Sequence, residues 1–101
     1  MMVNDIIIET LVIEADREEH ILKHEITLDE VIEVISEDYI YIEGKLGRWI
    51  LIGKTKKDRY LSIVVGERTK KDTYGLITAR PSRKEEKSFY NEYNLGGENN
   101  D

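Results

Sequence analysis

The sequence predicts an α+β domain in which a small antiparallel sheet packs against helices. Two observations carry most of that prediction. Helix-start signals recur in the first third of the chain, and from Tyr39 the apolar period shortens from helical to extended. A third is the shortness of the polar turns between the extended runs, which favours an antiparallel meander. The expected order is strand, helix, helix, four strands, helix.

Ile6 to Ile13 is rich in branched apolar residues and reads as the first strand. Asp16, with Glu19 three positions on, has capping-box spacing and predicts a short helix over Arg17 to His24. Thr27 and Glu30 repeat that spacing and open a second helix running to Ser36. In it Leu28, Val31, Ile32 and Ile35 form an apolar stripe facing the core, with Asp29, Glu30 and Glu33 outward or at its margin. Four β-rich runs follow, YIYIE, RWILIGKT, RYLSIVVGE and TYGLITAR. Alternation places Arg48, Ile50, Ile52 and Lys54 on one face of their strand and Trp49, Leu51 and Thr55 on the other. Pro81 closes the last strand. Ser82 with Glu85 then opens a final helix carrying the aromatic stripe Phe89, Tyr90 and Tyr93, and Gly96 and Gly97 end it. The reading is a single domain over 1–95 with a polar, disordered tail over 96–101.

A chain of 101 residues holds one compact core and no second substrate domain. It has no cysteine, so disulfides, a thiolate nucleophile and thiolate zinc sites are excluded. The amino-terminal apolar stretch is broken by Asp5, Glu9 and Glu14, which argues against a membrane span or signal sequence and for a cytoplasmic protein. The net charge of -6 hides two opposed halves: residues 1–44 carry 13 acidic and two basic side chains, whereas residues 45–87 carry 13 basic and five acidic ones. The basic half is a candidate phosphate-binding face, although cations in turns are also an ordinary solvated rim.

Chemistry-bearing patterns are few. His20 and His24 stand at i and i+4, where two imidazoles can chelate a metal, but no HExxH pattern accompanies them, and a structural role at the joint between two helices is the commoner use. The helical carboxylates coincide with caps and solvent faces. The scattered glycines match no phosphate loop, and no serine has a nucleophile-elbow context. What remains is the basic strand surface, including Arg59, Lys56, Lys57 and Arg83 as candidate RNA contacts. Arg48 and Arg80 each lie at the end of an otherwise apolar strand, where a cation reaches a groove without being buried unpaired. Trp49 and Tyr60 sit inside apolar strands and read as packing groups before base platforms.

Taken together, VIEADREEHILKHEITLDEVIEVI, GRWILIG, RYLSIVV and LITARPSRKEEKSFY, spanning Val12 to Tyr93, resemble the BrnT family of toxins in the RelE-like ribonuclease superfamily. The resemblance implies a small curved antiparallel sheet packed against helices and cleavage of RNA without metal or cofactor, by attack of the ribose 2′-hydroxyl on the adjacent phosphorus. It further implies that Arg48 and Arg80 hold the scissile phosphate, Lys54 adds charge stabilisation, and His24 or a carboxylate moves protons. The implied partner is a ribbon-helix-helix antitoxin, through which alone DNA would be contacted. Glu25 stands where the family commonly has glycine, the ARPSRKEE joint is one residue short of the usual form, and Glu86 replaces a frequently basic position. The alternative is a non-catalytic RNA- or protein-binding domain on the same scaffold, with a small metalloenzyme using His20 and His24 behind both.

Overall fold

The structure, a computed structural model, describes residues 6–99, with side chains described through residue 93. The elements are β1 (Thr10–Val12), α1 (Ala15–Leu22), α2 (Leu28–Ile35), β2 (Tyr39–Glu43), β3 (Arg48–Lys54), β4 (Tyr60–Glu67), β5 (Thr73–Pro81) and α3 (Lys84–Asn99). The α+β class and the element order are those expected. β2 to β5 form the antiparallel meander, but the five-stranded sheet, ordered β1-β5-β4-β3-β2, is mixed because β1 runs parallel to β5. Most of the expected first strand is absent: only Thr10 to Val12 pairs, against Thr73 to Gly75. Beyond that pairing α1 covers the open edge of β5, where the Arg17 guanidinium donates to the Ile77 carbonyl at 2.7 Å. Pro81 fits at the end of β5 because its missing N–H faces an unpaired edge.

Two cores lie on opposite faces of the sheet. One joins Ile21 of α1, Ile26 of the α1–α2 joint and Val31 and Val34 of α2 to Leu51, Leu61, Ile63 and Val65 of the strands. The other is smaller and sets Tyr90 of α3 on Ile40 and Ile52. Thr27 caps α2 as expected, its hydroxyl accepting from the Glu30 N–H while Glu30 accepts from the Thr27 N–H. The buried side of α2 differs from the expected stripe: Val31 and Val34 are buried, and Ile32 is 49% exposed. The reason is Gly53. A β-carbon there would stand 2.8 Å from Val34 Cγ1, so the bare glycine backbone is the surface onto which α2 docks.

The other two expected capping boxes shift. Asp16 bonds to Arg17 instead, and α1 begins at Ala15 with Glu14 as an N-cap whose side chain makes no capping bond. α3 begins at Lys84, Glu86 rather than Glu85 bonds back to the Arg83 N–H, and the helix continues through Gly96 and Gly97 to Asn99. Asn100 and Asp101 of the expected tail lie outside the described residues. At the α1–α2 joint Glu25 has φ +63, a left-handed conformation that glycine adopts without strain.

Glu25→Gly should therefore raise stability by about 1 kcal/mol in urea unfolding. Gly53→Ala should lower it by about 1–3 kcal/mol through overpacking against Val34. Equal midpoints for either variant and wild type would contradict the corresponding local reading.

Candidate nucleic-acid interface

Register lays out the α3 face of the sheet in transverse rows. Ile42, Ile50, Val64 and Thr78 are paired across four strands, as are Ile40, Ile52, Ser62 and Arg80 in the next row. Lys54 pairs with Tyr60 one row further on, and Arg48 pairs with Gly66 on the other side. Tyr90 packs on Ile40 and Ile52, so α3 lies over that row. The Ile42–Thr78 row stays half-exposed and forms an open lane beside the helix. A β-bulge at Val64/Val65 leaves Ile77 unpaired, and it turns to the same face, its Cδ1 standing over Gly66.

Arg80 borders this lane and is clamped. Its two terminal nitrogens donate to Glu86 Oε1 and Oε2 at 2.7 and 2.8 Å. Glu86 Oε1 also accepts from Ser62 Oγ and the Arg83 N–H, both at 2.8 Å. Ser62 spends its one proton on Glu86, so the buried Ser82 hydroxyl donates to Ser62 across their 2.8 Å contact. The Arg80 guanidinium, assisted by the Arg83 N–H and Ser62 against the opposing effect of burial, holds the Glu86 carboxyl down at about 2. Two of the five guanidinium N–H groups are thus engaged, leaving three to face the lane or solvent.

At the β5 end of the lane His20 Nε2 shares a hydrogen bond of 3.0 Å with Thr78 Oγ1. Thr78 and Arg80 alternate along one strand face, placing their α-carbons ~6.8 Å apart. His20 and Arg80 therefore border one patch. His24 belongs to the α1–α2 joint, is exposed, and makes an edge-type contact with the His20 ring, with centroids 5.6 Å apart.

Arg48, Lys54 and Arg80 do share one sheet face, but they do not converge. Six residue steps separate Arg48 from Lys54, a span of ~20 Å, and α3 crosses β3 between them. Arg48 and Arg80 are two rows and two strands apart, ~17 Å between α-carbons, so the sheet does not bring them side by side. Arg48 is exposed and its guanidinium makes no ion pair among the described residues. Lys54 and Lys87 both approach the Tyr60 ring, at 5.6 and 5.7 Å from its centroid.

Among the expected RNA contacts, Arg59 is committed elsewhere. It bonds the Glu25 carbonyl at 2.7 Å and both carboxylate oxygens of Glu30 at 3.1 Å, bracing the strained joint. Lys56 and Lys57 are exposed in the β3–β4 turn, which the Thr55 hydroxyl organises by accepting from the Lys57 and Arg59 N–H groups. Arg83 is exposed where α3 begins. Trp49 is a packing group, edge-on to Tyr41 with its N–H donated to Glu67. No group of three or more potential metal ligands occurs among the described residues. Sequence reasoning missed His20 as a lane residue and Glu86 as the partner of Arg80; the six-residue spacing of Arg80 and Glu86 across the Pro81 joint was the available signal.

A scan of family models finds none that matches the chain, and a search of curated proteins returns no match. No helix among the described residues is long and apolar enough to cross a membrane.

Glu86→Gln should cost about 2 kcal/mol at pH 7, because it weakens charged hydrogen bonds to a part-buried guanidinium. The Glu86 carboxyl titrates lower folded than unfolded, so its contribution is present above the unfolded value of 4.5 and is lost as pH falls toward 2. Unfolding curves of wild type and variant should converge across that interval. A gap that persists at pH 2 would contradict the ion-pair reading.

Proposed function

We propose that this chain is a RelE-like endoribonuclease toxin that acts in the cytoplasm and is silenced by a ribbon-helix-helix antitoxin. The observation that carries the reading is the juxtaposition of His20, bonded to Thr78, with Arg80 on the uncovered lane of the sheet. An RNA strand lying along this lane meets apolar side chains suited to unstacked bases, with cations at its borders. The sequence resemblance to BrnT toxins supports the same reading.

The chemistry proposed for the lane is transesterification. The 2′-oxygen bonds to phosphorus, the bond from phosphorus to the 5′-oxygen breaks, and the products are a 2′,3′-cyclic phosphate and a 5′-hydroxyl. One proton leaves the 2′-hydroxyl and one reaches the departing oxygen. His20 takes the first of these roles in place of His24, and the free N–H groups of Arg80 stabilise the phosphorane charge. Glu86 fixes the guanidinium plane. Arg48 serves a neighbouring phosphate rather than the scissile one, and Lys54 lies on the far side of α3, outside the reacting group.

A second reading, a non-catalytic RNA- or protein-binding domain, is favoured by one specific feature: both Glu86 oxygens neutralise Arg80. The two readings separate in one assay on a short oligoribonucleotide. The toxin reading expects 2′,3′-cyclic ends, a loss of about 10²–10⁴-fold in His20→Ala, a similar loss in Arg80→Ala, and near wild-type activity in His24→Ala. Uncleaved RNA bound with steep salt dependence would establish the binding reading instead. Cleavage unaffected by His20→Ala would remove His20 from the mechanism.

A further inference from the structure

The Pro81 joint sets Arg80 near the end of β5 six residues before Glu86 in the first turn of α3, and the pair closes back across it. Their side chains are 22% and 13% exposed. The carboxylate collects four hydrogen bonds, two from the guanidinium, one from Ser62 Oγ and one from the Arg83 N–H. Anchoring α3 does not by itself require a charge. A neutral amide oxygen would accept from Ser62 and the Arg83 N–H and still tie the helix to the sheet. What the negative charge adds is cancellation of Arg80, the guanidinium that shares a patch with His20.

A carboxylate and a phosphate compete for the same face of a guanidinium, because each presents two oxygens to its paired N–H groups. Here the carboxylate is part of the chain and already seated at 2.7 and 2.8 Å, so an RNA phosphate meets only the remaining N–H groups of a pair whose charges sum to zero. Partial burial keeps water from screening the cancellation. Protonation does not lift it: with its carboxyl held down at about 2, Glu86 stays ionised throughout the neutral range. Arg48, at the opposite border of the lane, has no ion-pair partner among the described residues. We infer that Glu86 is a built-in restraint on the lane, an internal anion that competes with the RNA backbone for Arg80 and holds affinity for single-stranded RNA about tenfold below what the same surface would reach without that charge. The inference rests on the reading of the lane as the RNA site.

The test measures binding of a short oligoribonucleotide, its reactive 2′-hydroxyl replaced by hydrogen, by fluorescence anisotropy from about 50 to about 200 mM salt. Glu86→Gln keeps an oxygen for Ser62 and Arg83 and removes the charge. It should bind about tenfold more tightly than wild type, with a salt slope steeper by about 0.7, the share of one more neutralised phosphate on a single strand. A purely structural Glu86 gives the opposite result, weaker binding together with lower stability. Glu85→Gln is the charge control: it removes an exposed carboxylate from the same turn and should change affinity by less than about twofold. If Glu86→Gln does not fold, the same comparison is made in the Glu25→Gly background, where the strained joint is relieved. Arg80→Ala separates failure of the inference from failure of the reading beneath it. Weaker binding by Arg80→Ala with no gain in folded Glu86→Gln would leave RNA on the lane and overturn the restraint, as would an equal gain in Glu85→Gln. Wild-type binding by Arg80→Ala would overturn both.

Discussion

The position of α3 rests on the Arg80–Glu86 pair. A helix that starts just after Pro81 could leave β5 in several directions, and packing by Tyr90 alone fixes only its far half. The bidentate pair, with the Ser62 and Ser82 hydroxyls beneath it, fixes the near half. It also satisfies the helix start through the Arg83 N–H. Every buried polar side-chain atom among the described residues has a partner, so the network is complete and breaking one member leaves the others unpaired. Where α3 lies decides which rows of the sheet are covered and which remain open.

That partition gives the sheet a division of labour. One face is sealed by α1 and α2, whose acidic exteriors turn to solvent. The other is only half sealed, and the exposed half carries along its borders His20, Arg80 and Arg48, the last without an ion pair among the described residues. Aromatic side chains on the far side of α3 leave the β2 edge apolar and framed by carboxylates.

Features whose causes are local were legible in the sequence. The Thr27 box formed because donor and acceptor lie three residues apart on one helix, and the four strand runs from Tyr39 emerged within a residue of their expected bounds. Features set by distant partners were not. α2 turned Val34 inward because Gly53, nineteen positions later, offers it space. Asp16 was diverted by Arg17, which itself answers to the Ile77 carbonyl at the bulge of β5. Likewise, His20 and His24 are indistinguishable by spacing, and only the contact of His20 with Thr78, a distant partner in sequence, separates them. Arg48, Lys54 and Arg80 were correctly placed on one face by alternation, but alternation carries no information on how far along a strand two residues lie from the helix that will divide them.

The most direct measurement is chemical-shift mapping of methyl and amide groups during titration with a short RNA whose reactive 2′-hydroxyl is replaced by hydrogen. Shifts concentrated on Ile42, Ile50, Val64 and Thr78, with the His20 ring following, are the predicted result. Shifts confined to the Lys56–Lys57 turn, with the lane unmoved, would contradict the assignment of RNA to the open face of the sheet.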